Sequence, residues 1–262
     1  MEFKVSSGEL LKHLNVVAGA IHTNPVLAIT EDFLVDIKKG TMTLTATNLE
    51  TSISTRMAVE SKENGSVAIP AKILLETLKA LPNQLVTFEA DLEQRSLVIT
   101  TETGMYKMAV DPPDDFPALP TSNDAEIMVP VERLMSGINY TIFATTSDEM
   151  RPAMTGVNVV VDFNKISFVA SDGHKLVRYH ALGTSTEQTG SFVIPKKAMS
   201  LLKGATPSEG NVYLKYNKSH AFFRFEETEV ICRLINQAYP DFNAVIPVNN
   251  KNVLYVSRTH LL

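Results

Sequence analysis

FKVSSGELL at residues 3–11 sets a pattern that the chain repeats as IMVPVERLM at residues 127–135 and LYVSRTHLL at residues 254–262. Each copy reads as a short apolar strand, then a capping residue or proline, then two adjacent apolar residues that open a helix. The copies begin 124 and 127 residues apart. A pattern that returns at this nearly constant, domain-sized spacing predicts a tandem duplication of one folded unit.

Three further pairs of segments keep the same spacing. In chain order they are ATNLE at 46–50 with ASDGH at 170–174, VAIPAK at 67–72 with FVIPKK at 192–197, and DFPAL at 115–119 with DFNAV at 241–245. Apolar runs in any β-rich chain align by chance, but chance does not predict a constant offset. We therefore expect one unit at residues 1–122, a second at 127–250, and the start of a third, cut off, at 254–262.

Composition sets the broad class of protein. The 262 residues suit two domains of ordinary size, and 44% of them are apolar, which is enough for a core in each. No apolar run approaches the roughly 20 residues of a membrane span, and no secretory signal is visible at the N-terminus. The lone Cys232 lies in an apolar run and reads as a buried, inert thiol. We expect a cytoplasmic protein with no membrane partner, no metal and no cofactor.

Hydrophobic periodicity predicts an α+β chain in which each unit runs helix, strands, helix, strands. The predicted helices are 7–20, 70–81, 131–143 and 196–203. The predicted strands are 33–38, 42–46, 51–59, 86–90, 96–101, 104–110, 156–161, 165–170, 176–181, 212–216, 220–225 and 230–234.

The charges are distributed unevenly between these elements. The chain carries 24 basic and 29 acidic side chains, for a net charge of −5, which by itself argues against a strongly basic nucleic-acid binder. The four helices nevertheless carry a net positive charge, because they contain three acidic residues, Glu9, Glu76 and Glu132, and seven basic ones. The basic residues are Lys12, Lys72, Lys79, Arg133, Lys196, Lys197 and Lys203. If the helices line one concave face, that face attracts a polyanion. The alternative interpretation is an ordinary solvated helix surface, where lysine is favoured by propensity.

The whole chain resembles the bacterial DNA polymerase III β subunit, the sliding clamp. The most specific stretch is ASDGHKL at 170–176, supported by TNLE at 47–50, DFP at 115–117, VIPKK at 193–197 and YPDF at 239–242. The resemblance implies tandem DNA-clamp (processivity-fold) domains, each with two helices on a concave face backed by antiparallel sheets. It also implies a three-domain protein that, when full length, forms a homodimer ring around double-stranded DNA without reading its sequence, so the chain would be truncated after the second domain.

The resemblance further implies a pocket on the second domain that binds short peptide motifs. The partners would be the DNA polymerase III catalytic subunit, the clamp loader, repair polymerases and mismatch-repair proteins. Carried over by position, the pocket residues are Arg151, Met154, Ser171, Gly173, His174, Lys175, Leu176, Pro240 and Val245. Two positions depart from the family pattern, because Ala244 and Asn24 stand where relatives often have basic residues.

Three other interpretations compete with this one. The first is that SDGH at 171–174 is simply a turn with a capping aspartate. The second is an enzyme built on Asp172, His174 and His180 or on Asp111, Asp114 and Asp115, but neither set has a convincing nucleophile, phosphate loop or metal-ligand spacing. The third is a β-rich scaffold that binds peptides and does not encircle DNA.

Overall fold

The structure is a computed structural model that describes residues 1–22, 25–184 and 186–262. Its α-helices are α1 (Ser7–Val17), α2 (Ala71–Ala80), α3 (Val131–Thr141), α4 (Lys196–Ala205) and α5 (Arg258–Leu261). Its strands are β1 (Glu2–Ser6), β2 (Asp32–Lys38), β3 (Thr41–Thr47), β4 (Thr51–Ala58), β5 (Glu60–Ser61), β6 (Gly65–Pro70), β7 (Leu85–Asp91), β8 (Ser96–Thr100), β9 (Met105–Ala109), β10 (Ile127–Pro130), β11 (Gly156–Asp162), β12 (Lys165–Ser171), β13 (Leu176–Leu182), β14 (Gly190–Pro195), β15 (Asn211–Tyr216), β16 (His220–Phe225) and β17 (Thr228–Arg233). None of the helices in these ranges is both long enough and apolar enough to cross a membrane.

The helices begin where the sequence signals predict. The Ser6 hydroxyl caps α1 by accepting a hydrogen bond from the Glu9 N–H at 3.4 Å, and α2, α3 and α4 each follow a proline. Two predicted helix ends are wrong, because α1 and α3 finish as 3-10 turns at Ala18–Ala20 and Ile142–Ala144. Such tightening is common in the last turn of a helix, where carbonyls lack α-helical partners.

The order of elements repeats, as the duplicated sequence predicts. The series from β1 and α1 through β9 reappears as β10 and α3 through β17, and β5 is the one strand of the first series without a counterpart in the described chain. Two predictions need correction. The strands β6 and β14 were not among the predicted strands, and the apolar segment 254–256 is not a strand, although helix α5 follows it. The side chains of 254–256 are exposed, and no described strand lies beside them to form a ladder.

The strands form three antiparallel sheets, in the orders β5-β1-β7-β8-β9, β10-β15-β16-β17-β4-β3-β2-β6 and β13-β12-β11-β14. The eight-stranded sheet is continuous across the two repeats, because β17 of the second pairs with β4 of the first. Val230 lies opposite Ile53 in this ladder, and both side chains are buried. One apolar core extends through both repeats.

The four long helices lie in one row on the sheets. Helix α1 contacts α2 on one side and α4 on the other, and α4 also contacts α3. Each of the four contacts strands beneath it, so one side of each helix is buried and the other is left to solvent. The row α2, α1, α4, α3 therefore presents a single helical surface that crosses from one repeat to the other.

Candidate functional site

The row of helices carries the seven basic residues named from the sequence. Lys12, Lys72, Lys79, Arg133, Lys196, Lys197 and Lys203 are all exposed. Within the described residues, none of the seven forms an ion pair. Glu9, Glu76 and Glu132 are exposed on the same helices, so the surface keeps a net positive charge. Unpaired, solvated cations of this kind remain available to phosphate groups.

His13 adds no charge to the helical surface near neutral pH. Its Nδ1 lies 3.0 Å from the Thr55 hydroxyl, and the Thr228 hydroxyl donates to the same Thr55 oxygen at 3.2 Å. Burial lowers the pKa of His13, and the nearby Glu9 and Glu227 carboxylates only partly oppose that shift. The histidine therefore ties α1 to the ladder between β4 and β17 as a neutral ring.

The tight turn between β12 and β13, with the strand residue on each side of it, holds five of the nine predicted pocket residues. The Asp172 Oδ1 accepts the backbone N–H groups of His174 and Lys175, each at 2.9 Å, and the Lys175 ammonium pairs with Asp172 Oδ2. These contacts, led by the Lys175 side chain, hold the pKa of Asp172 well below its usual range. Asp172 thus caps the turn, as the alternative interpretation from the sequence expected, and presents Ser171, Gly173, His174, Lys175 and Leu176 around it.

Arg151 fixes this turn from the side. Its Nε pairs with Asp148 at 2.9 Å, and its Nη1 donates to the Asp172 carbonyl at 3.1 Å. Gly173 has a φ of +92°, and a Cβ there would lie 2.7 Å from Arg151 Nη1. The backbone conformation therefore requires glycine, whereas the guanidinium lies at the end of a flexible side chain and can shift to admit a Cβ.

Pro240 and Val245 belong to the segment that follows β17. Arg178 of β13 donates to the Asn243 side chain of this segment at 3.2 Å, which holds it beside β13. Tyr239 is half-buried, and burial raises its pKa while the nearby Ser171 backbone opposes the shift. These contacts bring the segment next to the turn, although Val245 itself remains 67% exposed.

The structure brings the nine predicted residues together unevenly. Met154, half-buried in the 3-10 turn Pro152–Thr155, is linked to Arg151 by a backbone hydrogen bond of 2.9 Å. A cavity of about 800 Å³ lies between β14 and residues 234–243, and of the nine predicted residues only Pro240 lines it. The 171–176 turn and residues 240–245 together form a surface that we call the wall.

Sequence reasoning missed three residues that shape this wall. Arg178 and Asn243 join its two parts, and Tyr239 lies near the Ser171 backbone. The YPDF stretch at 239–242 supported the family resemblance, so Tyr239 was within reach of the same signal. Of the two departures from the family pattern, Ala244 is exposed beside Val245, whereas Asn24 lies outside the described residues.

Three of the residues considered for catalysis, Asp111, Asp172 and His180, make contacts within the fold. His180 Nδ1 lies 2.7 Å from the buried Ser167 hydroxyl, and burial lowers the pKa of His180. Asp111 exchanges two backbone hydrogen bonds with Ala68. Cys232 is buried in β17, and burial raises its pKa to about 12. In the described part of the chain, no group of three or more His, Cys, Asp or Glu side chains is arranged to hold a metal ion.

Comparison with known proteins accounts for this architecture. The family described as "DNA polymerase III beta subunit, N-terminal domain" matches residues 1–120, and "DNA polymerase III beta subunit, central domain" matches residues 128–241. The beta sliding clamp of Staphylococcus epidermidis is 30% identical over 260 residues, which span 95% of this chain and 68% of that protein. The beta sliding clamp of Synechocystis sp. is 26% identical over 285 residues, which span 100% of this chain and 73% of that protein.

The fold agrees with these matches. The crystal structure of the DNA polymerase sliding clamp from Bacillus subtilis superimposes with a TM-score of 0.91, over 95% of this chain and 68% of that one, at 23% identity. The two family matches adjoin along the chain and follow the repeat seen in its sequence and its elements. The chain therefore belongs to the DNA polymerase III beta subunit family, the bacterial beta sliding clamps.

Proposed function

We propose that this protein is a DNA sliding clamp, a processivity factor that tethers the replicative polymerase to duplex DNA. The observation that carries the proposal is the single row of helices α2, α1, α4 and α3 with exposed, unpaired cations. Sliding clamps are non-catalytic subunits, so the protein is not an enzyme. We infer that it acts in the cytoplasm, where the chromosome is replicated.

The charge distribution fits a ring that holds DNA by enclosing it. A closed ring cannot fall off a duplex, so its lining needs only enough positive charge to favour phosphates. Strong phosphate contacts would slow sliding, and base contacts would stop it at particular sequences. A net charge of −5 with a positive helical surface meets this requirement.

The proposed domains follow the duplicated sequence. They are a clamp domain at residues 1–122, a second at 127–250, and the start of a third at 254–262. We infer that each domain places its two helices on a concave inner face, and that the full-length protein is a homodimer ring.

The wall formed by the 171–176 turn and residues 240–245 is the proposed site for partner peptides. Met154, Leu176, Pro240 and Val245 offer apolar area, and the flexible Met154 side chain can repack around different anchors. Gly173 lets a peptide backbone approach closely, while His174 and Lys175 are exposed donors at the rim. Proposed partners are the DNA polymerase III catalytic subunit, the clamp loader, repair polymerases and mismatch-repair proteins.

A retention experiment tests the encirclement of DNA. The full-length protein, loaded with its clamp loader, is expected to co-elute from gel filtration with a closed circular plasmid and to be lost when that plasmid is cut once. Equal retention on both forms would mean ordinary binding. Retention on neither, with peptide binding intact, would favour a peptide scaffold that does not encircle DNA.

A second experiment tests the peptide site. A fluorescent peptide carrying a polymerase clamp motif is titrated with the protein and followed by anisotropy. We expect His174→Ala combined with Leu176→Ala to raise the Kd at least tenfold, because these side chains supply a donor and apolar area. Leu92→Ala, an exposed apolar residue in the β7–β8 turn, is the matched control. Unchanged affinity in the double variant would remove this wall as the site.

A further inference from the structure

The cavity of about 800 Å³ beside β14 shares a stretch of chain with the wall. Residues 234–243 line it on one side, and residues of β11, β14 and β15 line it on the other. Residues 240–243 therefore belong both to the wall and to the cavity lining. The volume falls within the roughly 300–1,000 Å³ of pockets that hold small molecules. We call residues 235–243 the strap.

The first repeat contains an equivalent segment that packs more closely. A backbone bridge joins β6 to Asp111, as another joins β14 to Ile235. Phe116 and Phe242 follow these bridges in the matching segments DFPAL and DFNAV. Phe116 is buried, whereas Phe242 is only half-buried and lines the cavity. The strap of the second repeat thus leaves open a space that its counterpart does not leave around the same aromatic ring.

The strand beneath the strap also differs between the repeats. Leu34 of β2 lies opposite Ala68, and Asn158 of β11 lies opposite Val193, so Leu34 and Asn158 occupy equivalent positions. Asn158 is 2% exposed and lines the cavity, and the Ser191 hydroxyl donates to its Oδ1 at 2.7 Å. Within the described residues this is the only hydrogen bond of the Asn158 side chain. Its Nδ2 is therefore left to donate to a molecule in the cavity.

The remaining side chains of the cavity favour a flat, uncharged molecule. Phe192 stacks on Tyr216 with ring centroids 4.5 Å apart, and a second pair of rings lies in the strap. Among the described lining residues, Lys218 is the one basic side chain and Asp241 the one acidic side chain, so their charges cancel. Side-chain amides complete the lining: Asn158, Asn217, Asn236, Gln237 and Asn243. Aromatic faces stack on flat rings, and amides pair with the donors and acceptors at the edge of a nucleobase.

Two side chains of the strap link the cavity to the wall. Tyr239 lines the cavity, while its hydroxyl lies near the Ser171 backbone at the start of the 171–176 turn. Asn243 also lines the cavity, and its side chain accepts the hydrogen bond from Arg178 of β13. Between these anchors and the bridge at Ile235, residues 236–242 make no backbone hydrogen bond to a strand of the described chain. A segment held mainly at its ends changes position at low cost in free energy.

We propose that this cavity binds an uncharged heteroaromatic molecule of the nucleobase type, and that the bound molecule orders the strap and so strengthens peptide binding at the wall. The ring enters between the strap and β11, where it supports Tyr239 and Pro240 from the cavity side. A peptide then binds a wall that is already ordered, so less conformational entropy is lost. The binding site itself is independent of the proposed function, whereas its effect on peptides rests on it.

A titration with adenosine tests the cavity. Adenosine is the probe, ribose is the control ligand that lacks the ring, and saturation-transfer NMR measures the binding of each. We expect adenosine to bind and ribose not to bind. Asn158→Leu introduces the side chain found at the equivalent position of the first repeat, and it should raise the adenosine Kd about tenfold because it removes the buried donor. Asn123→Leu, at an exposed position outside the cavity lining, is the matched control.

A second variant covers the case in which Asn158→Leu disturbs folding, which far-UV circular dichroism reveals. Phe242→Ala shortens a half-buried ring of the strap and should raise the adenosine Kd severalfold without affecting the core. No saturation transfer to adenosine, or an adenosine Kd that neither variant changes, would overturn the proposed site.

An anisotropy titration of the fluorescent clamp peptide tests the link to the wall. Saturating adenosine should lower the peptide Kd severalfold in the original chain and leave it unchanged in Asn158→Leu. By linkage, the peptide should lower the adenosine Kd by the same factor. An unchanged peptide Kd while adenosine is bound would overturn the coupling. Failure of the peptide to bind with or without adenosine would remove the proposed peptide site and the coupling together, while binding of adenosine would still establish the cavity as a site.

Discussion

Val230 of β17 lies directly opposite Ile53 of β4, and this pair turns two repeats of the chain into one continuous sheet. Both side chains are almost fully buried, although at this edge neither β4 nor β17 pairs with a strand of its own repeat. The junction therefore behaves as hydrophobic core rather than as a loose contact between domains. The stability of this junction decides whether the helices of the two repeats keep their relative positions in the row.

Shortening a buried side chain at this junction is expected to destabilise the protein. Ile53→Ala removes buried apolar atoms and leaves a cavity between the repeats, which should cost about 2–4 kcal/mol. The free energy of unfolding from urea titration measures the loss. Ile73→Ala is the matched control, because Ile73 on α2 is 49% exposed and its truncation should cost less than about 0.5 kcal/mol. Equal losses in the two variants would show that the junction is not part of the core.

Gly137 in α3 is expected to be irreplaceable for a packing reason. A Cβ at this position would lie 2.4 Å from the Phe168 ring, which is itself buried in the core. Gly137→Ala should therefore destabilise the protein by about 1–3 kcal/mol, even though alanine favours a helix. Gly204→Ala in α4 has open space around the new methyl group and should stabilise by up to about 1 kcal/mol. Thermal unfolding of the two variants should shift in opposite directions, and shifts in the same direction would contradict this account.

The sequence predicted the helices and most strands because their signals are local. Pro70, Pro130 and Pro195 mark helix starts whatever the rest of the fold does. Strands β6 and β14 were missed because each is a short apolar run directly before a proline, with no alternation to distinguish it. The segment 254–256 has the apolar pattern of a strand, but a strand forms only when it pairs with another strand. A local sequence pattern does not indicate whether such a partner is present.

The candidate site was predictable only through resemblance. The SDGH motif predicts the turn at 171–174. Nothing in the sequence indicates that Arg151 donates a hydrogen bond to the Asp172 carbonyl, 21 residues away. The link between Arg178 and Asn243 spans 65 residues and depends on the sheet that places β13 beside the later segment. Long-range contacts of this kind depend on how whole helices and strands pack. The sequence therefore predicts which residues belong to the wall, but not the contacts that position them.

The buried Asp32 carboxyl, next to the half-buried Asp111, makes the stability of the protein dependent on pH. Burial of Asp32, together with the Asp111 carboxylate beside it, raises the pKa of Asp32 from 3.8 to about 7. The folded state therefore keeps a proton that the unfolded state has lost, so the stabilisation is complete below pH 3.8 and disappears as the pH rises through about 7. Asp32→Asn should be more stable than the original chain by about 2 kcal/mol at pH 8 and no more stable at pH 4.

Urea titrations of both proteins at the two pH values measure this difference. Other carboxylates shift the stability of both proteins alike, so the comparison isolates Asp32. A difference between variant and original chain that is the same at both pH values would show that Asp32 does not keep its proton in the folded state.

Gly173→Ala should weaken peptide binding more than it weakens the fold. Its left-handed backbone conformation strains any added side chain, and the new Cβ would also push the Arg151 guanidinium away from the Asp172 carbonyl to which it donates. Gly183→Ala has a similar φ of +83° but no atom within 4 Å of the new Cβ, so it reproduces the backbone strain alone. We expect only Gly173→Ala to raise the peptide Kd severalfold in the anisotropy titration. Similar affinity in both variants would mean that the turn does not shape the site.

Reversing charge on the helical surface should weaken DNA binding beyond the effect of net charge. Lys12, Lys72 and Lys197 are exposed on three adjacent helices, and changing all three to Glu replaces phosphate attraction with repulsion. The matched control changes Lys4, Lys62 and Lys218 to Glu, which alters the net charge equally at exposed positions outside the four helices. Binding of labelled duplex DNA at several salt concentrations measures both affinity and the number of phosphate contacts. We expect the helix variant to lose at least tenfold in affinity and to show a shallower salt dependence, because each lost contact lowers the slope by about 0.9. An equal loss in both triple variants would show that DNA responds to the overall charge of the chain and not to the row of helices.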